Sequence, residues 1–156
     1  MILQTGMRTD IPAFYSEWFI NRVKEGYVLV RNPYNSEQVT RYEINTEVVD
    51  LIAFCTKNPA PMMKYTDLLS QYGQYWFVTI TSYGKDIEPM VPDKYEIIKN
   101  FCRLSDLAGV NSMGWRYDPV LINSKYTVEY HMRAFDKIAS MLSGYTETCI
   151  ISFVDL

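Results

Sequence analysis

Apolar positions along this chain fall alternately into short β-branched or aromatic runs and into stretches with a helical period. Ile2 to Met7 predicts a first strand. Asp10 then predicts a helix N-cap with Pro12 in the first turn, and Phe14, Trp18, Phe19 and Val23 give one apolar face closed by Gly26. Tyr27 to Arg31 and Val39 to Ile44 predict a hairpin around Pro33-Tyr34-Asn35-Ser36. Leu51 to Cys55 is nearly all apolar, the mark of a strand buried on both faces. Pro59 and Pro61 end it, and Met62 to Leu69 predicts a short helix.

Tyr75 to Thr81 predicts the next strand, with Trp76-Phe77-Val78 strongly β-prone. Pro92-Asp93 opens a helix with Tyr95, Ile98, Phe101 and Leu104 on one face, ending near Gly109. Ser112 to Trp115 predicts a short strand. Thr127 starts a helix with Val128, Met132, Phe135, Ile138 and Leu142 along its stripe and Gly144 as cap, and Cys149 to Val154 predicts a final buried strand.

Strand–helix alternation at spacings of ~25 to 45 residues predicts an α/β fold with a parallel sheet. A doubly wound open sheet and a section of a (β/α)8 barrel both fit it. A full barrel needs roughly 250 residues, so residues 1–156 would supply about five of its eight units. The expected fold is a partial barrel of about five strands with a hairpin inserted near residues 27–44. The last strand reaches Leu156 with no helix after it, which suggests one domain that is the amino-terminal part of a longer barrel.

Composition narrows the function classes only a little. Hydrophobic residues at 48% and charged residues at 21% fit a soluble globular domain. A net charge of −3 argues against bulk phosphate contacts, so no nucleic acid is expected, although a local basic pocket is allowed. Neither a secretory start nor a membrane span is visible, which suggests a cytoplasmic protein. Cys55, Cys102 and Cys149 lack any short C-x2-4-C pair, and each reads as a buried or half-buried thiol. His131 is the only histidine and reads as flanking an apolar stripe.

Parallel α/β folds gather functional groups past the carboxyl ends of their strands. There this chain has Arg8-Thr9-Asp10, Thr56-Lys57-Asn58, Thr79 with Thr81, Tyr83 and Lys85-Asp86, Arg116-Tyr117-Asp118, and Ser152 with Asp155. Together they suggest a pocket for a small ligand, with Arg8, Lys57 and Arg116 clamping an anion. Each member also has a plain structural role open to it. Asp10 can simply cap its helix, Arg116 and Asp118 can pair locally, and Lys57 can be a solvated loop residue.

Familiar catalytic motifs are absent. Gly84-Lys85 resembles the end of a phosphate loop, but Thr79 holds the first glycine position. Neither G-x-G-x-x-G nor G-x-S-x-G occurs. Carboxylate chemistry stays open through Asp10, Asp118, Asp155 and Glu88.

Six strings resemble an uncharacterised, mostly bacterial family, domain-of-unknown-function family 1848 (DUF1848). They are R-T-D-I-P-A-F-Y from Arg8, Y-V-L-V-R-N-P from Tyr27, T-K-N-P-A-P-M from Thr56, Y-G-K-D-I-E-P from Tyr83, W-R-Y-D-P from Trp115 and S-G-Y-T-E-T-C-I-I-S-F-V-D from Ser143. The resemblance implies a longer protein whose carboxyl-terminal part carries a cysteine cluster similar to the iron–sulfur motif of radical SAM enzymes. A [4Fe–4S] cluster and S-adenosylmethionine are thus implied for the full-length family. Arg8, Asp10, Lys57, Asn58, Tyr83, Arg116, Asp118 and Asp155 would face the barrel mouth and bind substrate or cofactor.

The chain departs from that pattern by ending before the cysteine cluster, and by having Gly6-Met7 where a small and a second basic residue are expected. The leading expectation is therefore the amino-terminal portion of a radical-SAM-like enzyme, inactive alone and completed by another segment, a partner chain or a second copy. The alternative is a stand-alone binding module for a small anionic ligand. A metal-independent carboxylate enzyme is the third.

Overall fold

Five strands run parallel and lie side by side in chain order, and a separate antiparallel hairpin is inserted after the first of them. The computed structural model describes residues 1–154. Its elements run β1 (Ile2–Gln4), α1 (Ile11–Phe14), α2 (Ser16–Glu25), β2 (Tyr27–Arg31), β3 (Val39–Glu43), β4 (Leu51–Thr56) and α3 (Ala60–Met63). They continue with α4 (Thr66–Leu69), β5 (Gly73–Thr79), α5 (Lys94–Ala108), β6 (Met113–Val120), α6 (Val128–Leu142) and β7 (Cys149–Phe153).

The parallel sheet has the order β1-β4-β5-β6-β7. Each new strand is added on the same side of the last, so right-handed crossovers place the helices on one face. This is the winding of a barrel segment, and the sheet is not closed. A doubly wound sheet would instead reverse direction at a switch point.

Burial records the winding. On β4, β5 and β6 the residues facing the helices are almost fully buried: Ile52, Phe54, Trp76, Val78, Trp115 and Tyr117. Their neighbours of opposite parity, Cys55, Tyr75, Phe77, Thr79, Arg116 and Asp118, are only partly buried. Phe54 stacks on Trp76 with centroids 4.1 Å apart, and Trp115 stacks on Phe135 of α6 at 4.7 Å. Each such pair adds roughly 0.5–1.5 kcal/mol beyond its buried area.

Local signals placed most elements, but β1 ends at Gln4 instead of Met7, β5 runs over Gly73–Thr79 instead of Tyr75 to Thr81, and other boundaries differ for local reasons. The first helix breaks at Tyr15, whose φ of −131° leaves helical space, so α1 is a single turn capped by Asp10. Gly26, at φ +78°, ends α2 in the left-handed conformation that glycine adopts freely. The predicted helix over residues 62–69 is two separate turns, α3 and α4. The hairpin loop is wider than Pro33 to Ser36, because the Asn32 and Asn35 side chains accept from the Tyr34 and Glu37 amides and shape residues 32–38.

The largest difference is β6, which extends to Val120 instead of stopping at Trp115. Arg116 and Asp118 look like loop residues by charge, yet they lie in the strand on the face that carries no helix. That face tolerates polar side chains within a strand. Phe14, Trp18, Tyr95, Val128 and Met132 are expected in apolar stripes but are exposed, and β7, expected to be buried, is exposed along its whole length, Cys149 included.

Candidate functional site

The carboxyl ends of the strands hold the predicted polar groups, and short-range partners divide them into separate clusters. Asp10 does two things. Its Oδ1 accepts from the Ala13 amide at 3.0 Å as the α1 cap, and its Oδ2 accepts from the Lys57 amide at 2.8 Å. One carboxylate thus ties the loop after β1 to the loop after β4. Asn58 continues that loop: its amide donates to Thr56 Oγ1 at 2.9 Å, and its side-chain oxygen accepts from Ala60.

The Lys57 ammonium pairs with one oxygen of Glu88, and the ammonium of Lys94, the first residue of α5, pairs with the other. Thr81 Oγ1 donates to the same carboxylate at 2.8 Å. The Glu88 side chain is 6% exposed, against 39% for Lys57 and 26% for Lys94. Burial pushes the Glu88 carboxyl up, but the hydrogen bonds from Lys57, Lys94 and Thr81 outweigh it and hold it below the usual range. Two cations share one anion here, with the Asp10 carboxylate on the Lys57 amide and the Asp93 carboxylate beside Lys94 close by. The N-terminus of α5, where Lys94 stands, is capped by that Asp93 carboxylate.

A second cluster joins β6 to β7. Arg116 Nη2 pairs with Asp118 Oδ2, and Ser152 donates to Asp118 Oδ1. The local pairing of Arg116 with Asp118 is therefore present. Arg116 Nε is buried without a hydrogen-bond partner among the described residues.

The third cluster is aromatic. Tyr83 is 5% exposed, donates to the Pro119 carbonyl at 2.7 Å and accepts from the Leu121 amide at 2.6 Å. Burial pushes its hydroxyl pKa up. Its polar atom is thus committed to bracing the chain after β6. Beside it, His131 Nε2 donates to the Leu121 carbonyl at 3.0 Å, which leaves Nδ1 to accept from Tyr117 at 2.7 Å. Ser82 Oγ lies 2.8 Å from the Tyr117 hydroxyl and completes a buried chain of three side chains.

Arg8 lies apart from these groups. Its Nη2 donates to the Arg31 carbonyl at 3.0 Å, which turns it toward the β2–β3 hairpin. Asp155 lies outside the described residues.

Sequence reasoning weighed Glu88 only as one of several loose carboxylates and missed Lys94. Glu88 lies inside the string Y-G-K-D-I-E-P, but nothing local marks it as buried. Its partners come from 31 residues before it and 6 residues after it.

Cys55 lies on β4, Cys102 on α5 and Cys149 on β7, and all three are free. No group of three cysteine, histidine or acidic side chains among the described residues is placed to hold a metal ion. The cysteines of this chain therefore do not fit a [4Fe–4S] cluster. Among the described residues, no helix is long and apolar enough to cross a membrane.

Fold and site together define an α/β protein with a one-way-wound parallel sheet, a charged cluster past the carboxyl ends of β4 and β5, and a second charged pair within β6. Residues 2–156 match the model of the family described as Domain of unknown function (DUF1848), and the chain belongs to that family. No curated protein and no solved structure matches it.

Proposed function

We propose that the chain binds a small anionic ligand, a phosphate or a carboxylate, at the carboxyl ends of β4 and β5. The observation that carries this reading is the buried carboxylate of Glu88 shared by Lys57 and Lys94. Each ammonium makes one hydrogen bond to that carboxylate, and its two other donors are open to the oxygens of a ligand. Both lysines keep part of their surface open to solvent, so an anion has access to them. Lys57 would contact the ligand, while Asp10, Asn58 and Thr81 hold the loops that present it. Arg116, whose side chain is 35% exposed, would add a second anion contact from the neighbouring cluster it forms with Asp118.

Thermal unfolding with and without inorganic phosphate or a short dicarboxylate tests this, because a ligand that binds only the folded state raises Tm. A rise in the wild type that disappears in Lys57→Ala and Arg116→Ala is expected. Equal rises in all three proteins would remove the assignment.

A second reading is that the chain is the amino-terminal part of a radical-SAM-like iron–sulfur enzyme. The one-way strand order favours it, since the same winding continued would close a barrel. This chain's cysteines do not fit the cluster, so every cluster ligand would come from outside residues 1–156. Reading the gene past the Leu156 codon, with the intact mass of the native protein, decides it. Closely spaced cysteines in frame support the reading, and a stop codon with the mass of this chain alone ends it.

A further inference from the structure

A separate cavity of about 620 Å³ lies between the carboxyl end of β1, the α1–α2 junction and β2. Its size is that of a small-molecule site. The walls are mostly apolar or aromatic, and much of that surface is uncovered: Met7 is 76% exposed, Leu29 58%, Tyr15 50% and Trp18 45%. Trp76 and Trp115 are 0% and 2% exposed, so Trp18 is the indole the fold leaves open. Tyr15, the N-cap of α2, and Trp18 in its first turn both line the cavity.

The two charged residues lining this cavity are both arginines, Arg8 and Arg31. Neither forms an ion pair among the described residues. The Arg8 guanidinium donates to the main-chain oxygen of Arg31 at 3.0 Å, which fixes it at the cavity and commits one donor of a planar fork. An uncharged apolar occupant would strip water from these guanidiniums without replacing it, and a cation would be repelled.

We propose that this cavity binds a planar aromatic anion, with its ring against Trp18 and Tyr15 and its acidic group on Arg8 and Arg31. Arginine suits both halves of such a ligand, because it stacks on flat rings and grips planar oxyanions. The site is independent of the anion site at Glu88 and of any iron–sulfur chemistry.

The test uses two fluorescent probes with the same rings, 1-anilinonaphthalene-8-sulfonate and N-phenyl-1-naphthylamine, which lacks the sulfonate. The sulfonate is expected to bind at one site per chain, about tenfold or more tighter than the neutral probe. Arg8→Gln and Arg31→Gln should each weaken the sulfonate and leave the neutral probe unchanged, while Trp18→Ala weakens both. Bound sulfonate should also shield the tryptophan emission from iodide. If Arg8→Gln does not fold, Arg31→Gln carries the same test, since only the main-chain oxygen of Arg31 braces Arg8. Equal affinity for the two probes overturns the proposal. So does sulfonate binding that survives Trp18→Ala and is lost in Met132→Lys, which would place the probe in the groove beside α6.

Discussion

The ammonium of Lys57, at the carboxyl end of β4, is held by the buried carboxylate of Glu88 on the loop after β5. Glu88 in turn holds Lys94, so one acid fixes both the loop after β4 and the start of α5. Its folded pKa is depressed below its unfolded value. Such a group stabilises the fold above the usual carboxylate range, and that contribution is lost as pH falls through the folded pKa. Urea unfolding from neutral to acid pH should show wild-type stability falling below that range. Glu88→Gln, which leaves the two lysines without a counter-charge, should be destabilised by about 1–3 kcal/mol at neutral pH and respond less to acid. Parallel acid profiles for the two proteins would contradict this.

Gly6 lies against Cys55 on the open face of the sheet, where a Cβ at position 6 would sit 2.3 Å from the cysteine Cβ. Gly6→Ala should therefore cost roughly 1–3 kcal/mol in chemical denaturation, the usual range for overpacking. Cys55→Gly removes the atom in the way and should recover most of that loss. Failure of the double variant to regain stability over Gly6→Ala would show that the backbone, not the Cβ clash, requires the glycine.

Tyr117 donates to His131 Nδ1 inside a chain that begins at Ser82. Tyr117→Phe keeps the ring packing against Trp115 and Phe135 but leaves a buried imidazole nitrogen without its donor. A loss of ~1–3 kcal/mol in the unfolding free energy is expected, the penalty of an unsatisfied buried acceptor. A change below a few tenths of a kcal/mol would mean that water replaces the hydroxyl.

Among the described residues β7 is an edge of the parallel sheet, and Ile150, Ile151 and Phe153 on it are exposed. Beside it runs an apolar groove of about 440 Å³ lined by Val128, Met132 and Phe135 of α6. An uncovered apolar edge favours association between chains. Sedimentation velocity should show concentration-dependent self-association that Ile151→Lys suppresses. A monomer at all concentrations would show that this edge is tolerated without a partner.

Regular elements were legible where one local rule decided them. Asp10 and Thr127 cap helices as their side chains predict, and Gly26 ends one. The parallel sheet followed from the alternation of strands and helices. β6 was misjudged because a charged pair inside a strand looks like a loop until the bare face of the sheet is known. At the strand ends, Asp10 caps its helix as its position predicts and also holds the Lys57 amide, while Lys57 pairs with Glu88 instead of being a solvated loop residue. Lys94 was invisible because its significance lies in a partner that also receives a lysine from the far side of β5. No periodicity encodes a contact of that kind.

Calorimetric titration of inorganic phosphate into wild type, Lys57→Met, Lys94→Met and Glu88→Gln tests the two-lysine anion site most directly. Lys57→Met and Lys94→Met should each weaken binding about tenfold or more, and Glu88→Gln, which removes the competing carboxylate, should bind at least as tightly as wild type. Unchanged affinity in both lysine variants, or no heat with any of the four proteins, would contradict an anion site at Glu88.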